Sequence, residues 1–322
     1  MMQTYRHKER SIVKLQCRTS NHQTTLFDLR EGVPPKAAPV SQADKDRNRL
    51  ITQCGSVEEV LELFADCGRD FNTVNLSTAF YRVAKLSALE PQEYRHLIRG
   101  DPYVRQLAFA LDQFVPQMDT QSLANVAWAH SKLGHGTSQL MTSVVQASLG
   151  QLHKFRQQEL TNMIWATANN FKSRPTDPRC GLAILEPAAK DLLVRLQSNS
   201  FESRNIELVV WSYATCNHCD PELLEALSAV VVANVRNMSV RNFAKICWGF
   251  ATLKQPAPAM FKAIEGELQR VGTSSMSALD LTQLTWACAQ LEVKEPALLD
   301  MLGRESTRKI HSFNAQCIAN TV

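Results

Sequence analysis

Apolar residues recur along most of this chain at intervals of three and four, the spacing that is typical of amphipathic α-helices. Five stretches repeat one such pattern around a tryptophan, and every tryptophan of the protein lies in one of them. The stretches are SLANVAWAHSKLGH (residues 122–135), ELTNMIWATANNFK (159–172), NIELVVWSYATCNH (205–218), NFAKICWGFATLKQ (242–255) and DLTQLTWACAQLEV (280–293). The pattern predicts a helical element that the chain repeats at least five times.

The five stretches share a register as well as a composition. Their tryptophans are separated by 37, 46, 37 and 38 residues, in the order Trp128, Trp165, Trp211, Trp248 and Trp286. Counted from each tryptophan, a Met or Phe stands ten residues before, a Leu, Ile or Phe five before, and an Ala or Ser three after. The gap of 46 contains the segment RPTDPRCGL, whose two prolines favour a loop. A weaker copy has Tyr81 in place of the tryptophan.

Each repeat is predicted to form two helices, called helix A and helix B below. Helix A carries the tryptophan, and a polar residue such as Ser122 or Asp280 is placed to cap its first turn. Helix B follows, for example from Asp220 as the cap and Pro221 as the first helical residue. A single pair of helices cannot bury its apolar faces, so neighbouring pairs must stack. We therefore predict an all-α fold, an α-solenoid of helical hairpins with a 37- to 38-residue repeat, in which the five tryptophans form the structural core.

The same pattern divides the chain into a basic tail, residues 1–50, and a helical-repeat array, residues 51–322. The array has about five full units, a divergent first unit and a truncated last unit. Within the tail, residues 31–50 are rich in proline and charge and predict a linker. The first 27 residues hold five basic side chains and one acidic one, a composition shared by organelle transit peptides and by basic disordered tails. We expect a chloroplast or mitochondrial protein, with the cytoplasm as the alternative.

The last eleven residues, SFNAQCIANTV, match the start of another repeat whose tryptophan would stand at position 323. Phe313 would lie ten residues before it and Ile318 five before. A helix A cut at this point lacks its central residue and its helix B. We therefore expect the chain to be part of a longer repeat protein, with the residues from about 314 onward frayed or packed only on the preceding helix B.

Charge is unevenly distributed along the chain. The net charge is +4, but residues 1–50 hold ten Lys and Arg against five Asp and Glu, which leaves 25 against 26 in the array. A near-neutral array can bind a polyanion only if it gathers its cations into a local stripe. The longest apolar run, ALSAVVVANV, is too short to cross a bilayer, so no membrane insertion is expected.

The chain offers little that suggests catalysis or a metal. Its nine cysteines form no paired framework. Cys216, His218 and Cys219 could be zinc ligands, but His218 occupies the same place in its repeat as His135, and no second ligand pair follows. The sequence contains no Walker loop, nucleophile elbow or HExxH motif. We predict no metal site, no cofactor and no enzymatic activity.

A helical hairpin of 37 to 38 residues with LANVAW, an alanine three residues on and KLG at the helix end resembles the octotricopeptide repeat, which is related to the FAST kinase-like and RAP proteins of organelles. The resemblance runs from about Phe71 to Val322. It implies sequence-dependent binding of single-stranded RNA in chloroplasts or mitochondria, acting on the stability, processing or translation of transcripts.

The residues add a candidate site to that resemblance. If helix A packs through the tryptophan and the positions five before, two before and three after it, the positions three before and four after it share another, concave face. These two positions vary between copies and are polar, apart from Leu208: Asn125, Lys132, Asn162, Asn169, Thr215, Lys245, Thr252, Gln283 and Gln290. Amides and hydroxyls of this kind hydrogen-bond the edges of unpaired bases. Two alternatives stay open, a merely solvated helix face and a protein-protein interaction scaffold. We expect a monomer in either case.

Overall fold

The computed structural model describes residues 41–134, 138–173, 182–197 and 201–321 of the chain. In these segments all regular structure is helical, in sixteen α-helices and short 3-10 turns. The α-helices are α1 (Gln42–Gln53), α2 (Val57–Cys67), α3 (Thr73–Ser87), α4 (Gln92–Gly100), α5 (Pro102–Phe114), α6 (Thr120–Leu133), α7 (Ser138–Leu149), α8 (Gln157–Ser173), α9 (Leu185–Leu196), α10 (Ser203–Thr215), α11 (Pro221–Asn234), α12 (Val240–Thr252), α13 (Pro258–Val271), α14 (Ala278–Gln290), α15 (Pro296–Arg308) and α16 (Ala315–Thr321). Residues 1–40 of the predicted tail and residues 174–181 of the predicted loop lie outside the described residues.

The helices pack in sequence order, as the α-solenoid prediction requires. The chain forms two compact units, the first ending at Asn170 and the second beginning at Phe171. Within the first unit the A helices α1, α3 and α6 contact one another in turn, as do the B helices α2, α5 and α7. Within the second unit the A helices are α10, α12, α14 and α16, and the B helices are α9, α11, α13 and α15. The predicted fold class is therefore confirmed, with an additional helix, α4, inserted between α3 and α5.

Helix A starts in nearly the same way in each unit. A short 3-10 turn usually precedes it, and the backbone N–H of the next, bulky residue closes that turn. The bulky residues stand ten before the central aromatic position and are all buried: Phe71, Met118, Phe155, Phe201, Met238, Met276 and Phe313. The residue that follows each of these bulky residues is the N-cap of helix A, so the caps lie earlier in the chain than predicted. The caps of α6, α12 and α14 are Asp119, Ser239 and Ser277. Asp280, predicted as a cap, is instead the third helical residue of α14, and its carboxylate accepts a hydrogen bond from the backbone N–H of Ser277.

Helix A also ends in a shared conformation, six residues after the tryptophan. The residues at this position adopt a left-handed backbone: Gly134 (φ 58°), Asn217 (φ 49°), Lys254 (φ 54°) and Glu292 (φ 48°). Such a residue stops a helix because its N–H turns back to satisfy a carbonyl of the last turn. Glycine adopts this conformation without strain and asparagine does so more readily than most residues, whereas Lys254 and Glu292 adopt it at a cost.

Both predicted ends of the array need correction. The linker predicted for residues 31–50 is wrong for its second half, because Ser41 caps α1 through a reciprocal hydrogen bond with Asp44 and the helix begins at Gln42. At the other end, α16 is an ordered helix A that packs on α14, where the hydroxyl of Thr321 lies 3.4 Å from that of Thr282. Ile318 is 42% exposed.

Candidate nucleic-acid interface

The five tryptophans are partly exposed and not fully buried, which corrects the prediction that they form the structural core. The positions five, two and one before the tryptophan and one and two after it are buried in nearly all copies, as Leu123, Val126 and Ala129 illustrate. Trp128 and its four counterparts are instead partly exposed. The reason is helical geometry. An α-helix turns by about 100° per residue. The residues seven before, three before and four after the tryptophan therefore lie within about 60° of it around the helix, whereas the buried residues five before and two after it lie on the far side.

These four positions form one continuous surface on each helix A, called the helix-A stripe below. The aromatic residue sits at its centre, so the variable polar residues and the tryptophans share a face. In the first unit the stripe positions are Val74, Thr78, Tyr81 and Lys85 on α3, Gln121, Asn125, Trp128 and Lys132 on α6, and Gln158, Asn162, Trp165 and Asn169 on α8. In the second unit they are Arg204, Leu208, Trp211 and Thr215 on α10, Arg241, Lys245, Trp248 and Thr252 on α12, and Leu279, Gln283, Trp286 and Gln290 on α14.

All nine candidate residues lie on this stripe. Lys132 and Gln290 are exposed, and the other seven are partly exposed. Several already have partners. Asn169 donates from Nδ2 to the hydroxyl of Ser131 on the preceding helix A, at 2.7 Å. The hydroxyl of Thr252 donates to the backbone carbonyl of Trp248 at 2.8 Å. The amide of Asn169 is therefore held in a defined position on the face.

In the first unit, aromatic rings and a lysine lie against one another along the stripe. The ring centroids of Tyr81 and Trp128 are 4.8 Å apart, with a tilt of 40° between the rings. Lys132 Nζ lies 5.7 Å from the centroid of Trp128 and 4.6 Å from that of Trp165. Both distances are within the range of cation–π attraction. The lysine thus links the tryptophans of successive A helices.

In the second unit the stripe is more open. Lys172 Nζ lies 6.0 Å from the centroid of Trp211. Lys245 is held by an ion pair, because its Nζ is 2.5 Å from an oxygen of Glu207 on the preceding helix A. Over the described residues, neither a second aromatic ring nor a cation lies against Trp248 or Trp286.

The stripe is basic even though the array is near neutral. Its positions include five cations and no Asp or Glu: Lys85, Lys132, Arg204, Arg241 and Lys245. Arg204 and Arg241 are exposed and form no ion pair within the described part of the chain. By contrast, several cations of the B helices pair with a carboxylate of the same helix, as Arg195, Lys262, Arg270, Arg304 and Arg308 do. The cations left for a polyanion therefore include Arg204 and Arg241 of the A helices.

The cysteine and histidine residues form no such surface. Burial raises the pKa of the Cys216 and Cys288 thiols to about 12, so both remain protonated at neutral pH. His218 lies against the ring of Tyr213, with 5.7 Å between centroids, and Cys219 is exposed. Among the described residues, no three His, Cys, Asp or Glu side chains are grouped so that they could hold a metal ion. No helix in the described segments has the length and apolar character to cross a membrane.

The site predicted from the sequence did not include the tryptophans or the two arginines, Arg204 and Arg241. Trp128 and its counterparts were assigned to packing because large aromatics at a fixed register usually pack. The helical angles contain the missing signal, because the tryptophan lies within about 60° of the positions already assigned to the open face. Arg204 and Arg241 occupy the position seven before the tryptophan, two turns along the same line of the helix.

Comparison with known proteins gives one distant relative. No family model matches the chain. A chloroplast RAP domain-containing protein from rice (Oryza sativa subsp. japonica) is 24% identical over 206 residues, which cover 59% of this chain and 31% of the relative. The chain thus aligns with about a third of that protein. This similarity and the stacked helical hairpins relate the chain, at a distance, to the helical RAP-domain proteins of organelles.

Proposed function

We propose that this chain binds single-stranded RNA through the helix-A stripe and acts in an organelle on the stability, processing or translation of transcripts. It does so as a binding protein without enzymatic activity. The more specific resemblance to octotricopeptide repeats is part of this proposal, as is the location in a chloroplast or mitochondrion. Its support from relatives is the similarity to a rice protein whose name places it in the chloroplast.

The observation that carries the proposal is the composition of the stripe. Cations, partly exposed aromatic rings and amide or hydroxyl groups share one face, and that face has no carboxylate at its defining positions. Cations attract the phosphates of the backbone, aromatic rings stack on bases, and amides and hydroxyls hydrogen-bond base edges. A solvated face would need neither aromatic rings nor the exclusion of acids.

A protein-binding scaffold is the second candidate, and a groove on the B helices favours it. The groove runs between α9 and α11 and is lined by Leu193, Leu196, Ala226 and Ala229, with Glu222 and Glu225 beside them. An apolar floor with acidic side chains suits a basic amphipathic peptide better than RNA. The two functions use different surfaces, so variants separate them.

The test measures the affinity of the purified protein for fluorescent single-stranded RNA at several salt concentrations. Replacing Arg204 and Arg241 by Gln should weaken binding to all sequences and reduce the slope of log K against log salt by about 1.4, since each phosphate contact with a single strand contributes about 0.7. Arg270→Gln removes a cation that is paired with Glu267, and serves as the matched control with an unchanged slope. Absence of RNA binding by the wild-type protein at low salt would refute the proposal.

A further inference from the structure

The tryptophans of the stripe differ in what covers their rings. Trp128 has the ring of Tyr81 and the ammonium group of Lys132 against it, and Trp165 has the same ammonium group 4.6 Å from its centroid. Trp211 has Lys172 within 6.0 Å. Trp248 and Trp286, both in the second unit, have neither a ring nor a cation over them within the described chain. Both rings are partly exposed, and neither has an aromatic ring or a cation that a flat ligand would have to displace.

The groups around the two open rings suit an unpaired base. Thr252 and Lys245 lie on the same face of α12 as Trp248, and Gln290 and Gln283 on the same face of α14 as Trp286. The Gln283 Oε1 atom is buried and has no hydrogen-bond partner among the described residues, so this amide gains a hydrogen bond if the side chain turns outward to the amino group of a base. Next along α14, Leu279 is 57% exposed and adds apolar surface.

From these observations we infer that Trp248 and Trp286 are base-stacking residues, each taking one unpaired base on its ring, whereas Trp128 is a packing residue of the stripe. This inference rests on the proposed function and assigns the tryptophans different roles within it. Stacking fits an open ring because every base has an aromatic face, so it contributes affinity without selecting a sequence. On Trp128 the same contact would require displacement of Lys132 and loss of its attraction to the ring.

The experiment compares Trp248→Leu, Trp286→Leu and Trp128→Leu in binding to one single-stranded RNA of mixed sequence. We expect the first two substitutions to weaken binding by about 5-fold to 100-fold each, the range that corresponds to the loss of one stacked base. Trp128→Leu should weaken it by less than about 3-fold, and Trp248→Phe should restore most of the loss because a smaller ring remains. Thermal denaturation of each variant controls for folding.

Intrinsic fluorescence gives a second measurement that needs no variant. All five tryptophans lie on the stripe, so no core tryptophan contributes to the signal. An RNA with bases should quench the fluorescence of the wild-type protein, and an oligonucleotide of equal length with abasic sites should bind without quenching it. Single-stranded DNA should quench similarly, because stacking does not involve the 2′-hydroxyl.

The outcomes separate the inference from the proposed function. If the wild-type protein binds RNA but Trp248→Leu and Trp286→Leu bind as tightly as it does, the stacking role is wrong and the RNA-binding function stands. Equal quenching by base-bearing and abasic oligonucleotides would overturn the inference in the same way. If no oligonucleotide binds at low salt, the function and the inference fall together.

Discussion

A glycine lies at a close contact between two A helices of the second unit. Gly249 on α12 directly follows Trp248 and faces α10. A Cβ atom placed on Gly249 would lie 2.3 Å from Cγ1 of Val210 and 3.3 Å from the backbone oxygen of the same residue. Carbon atoms in contact are normally about 3.5–4.0 Å apart, so Gly249→Ala creates an overlap of more than an ångström.

Two effects of opposite sign decide the result of Gly249→Ala. Alanine is favoured over glycine in a helix interior by about 1 kcal/mol. Overpacking of a tight core contact typically costs about 1–3 kcal/mol, and here the cost should be near the upper end because valine has one strongly preferred side-chain rotamer in a helix. We expect a net loss of about 1–2 kcal/mol, which lowers the melting temperature by roughly 2–8 °C.

Thermal denaturation followed by far-UV circular dichroism measures the effect, and a second substitution controls its cause. The double variant Val210→Ala and Gly249→Ala removes the opposing methyl groups, and should recover much of the lost melting temperature. It recreates the alanines that Ala127 and Ala166 place at the equivalent positions of the first unit. A Gly249→Ala protein more stable than the wild type would show that α10 and α12 are farther apart than the structure has them.

Three further predictions follow from local contacts. Replacing Lys254, which has a φ of 54°, by Gly should stabilise the protein by about 1 kcal/mol in thermal denaturation, and an unchanged melting temperature would contradict the left-handed helix end. Arg308 beside Glu305 lowers the pKa of this carboxyl to about 2, so the stabilisation by the ionised carboxylate is present at neutral pH and is lost as the pH falls below about 4.5 towards 2. Glu305→Gln should therefore flatten this part of a plot of melting temperature against pH. An identical acid sensitivity of variant and wild type would refute the pairing. Asn169→Ala removes a hydrogen bond to Ser131 and should lower the free energy of unfolding by about 1 kcal/mol, whereas a purely solvated residue could be replaced without effect. Equal urea midpoints for variant and wild type would count against this hydrogen bond.

Much of the array was predictable from the sequence because its signals are local. The spacing of apolar residues predicted the helices, and the bulky residue ten before the tryptophan predicted the turn into helix A, where Met118 and Phe155 are indeed buried. The Lys-Leu-Gly stop of the first tryptophan repeat likewise corresponds to the left-handed Gly134. The observed helix caps lie three residues before the predicted ones. Ser239 and Asn242 are both polar, and only the geometry of the helix start decides which of them caps.

The tertiary structure decided which face of helix A stays open. A sequence places residues around a helix, but exposure depends on where the neighbouring helices lie, and here they cover the positions on both sides of the stripe while leaving the tryptophan at its centre. The tertiary structure also decided which polar residues have partners. Lys245, for example, pairs with Glu207, which belongs to another repeat and lies 38 residues away in the chain. Intervals of three and four within one helix determine its amphipathic character. The helical angles place the tryptophan on one line with the variable polar residues, and the pairing of helices from different repeats, which no local interval encodes, determined that this line stays partly exposed.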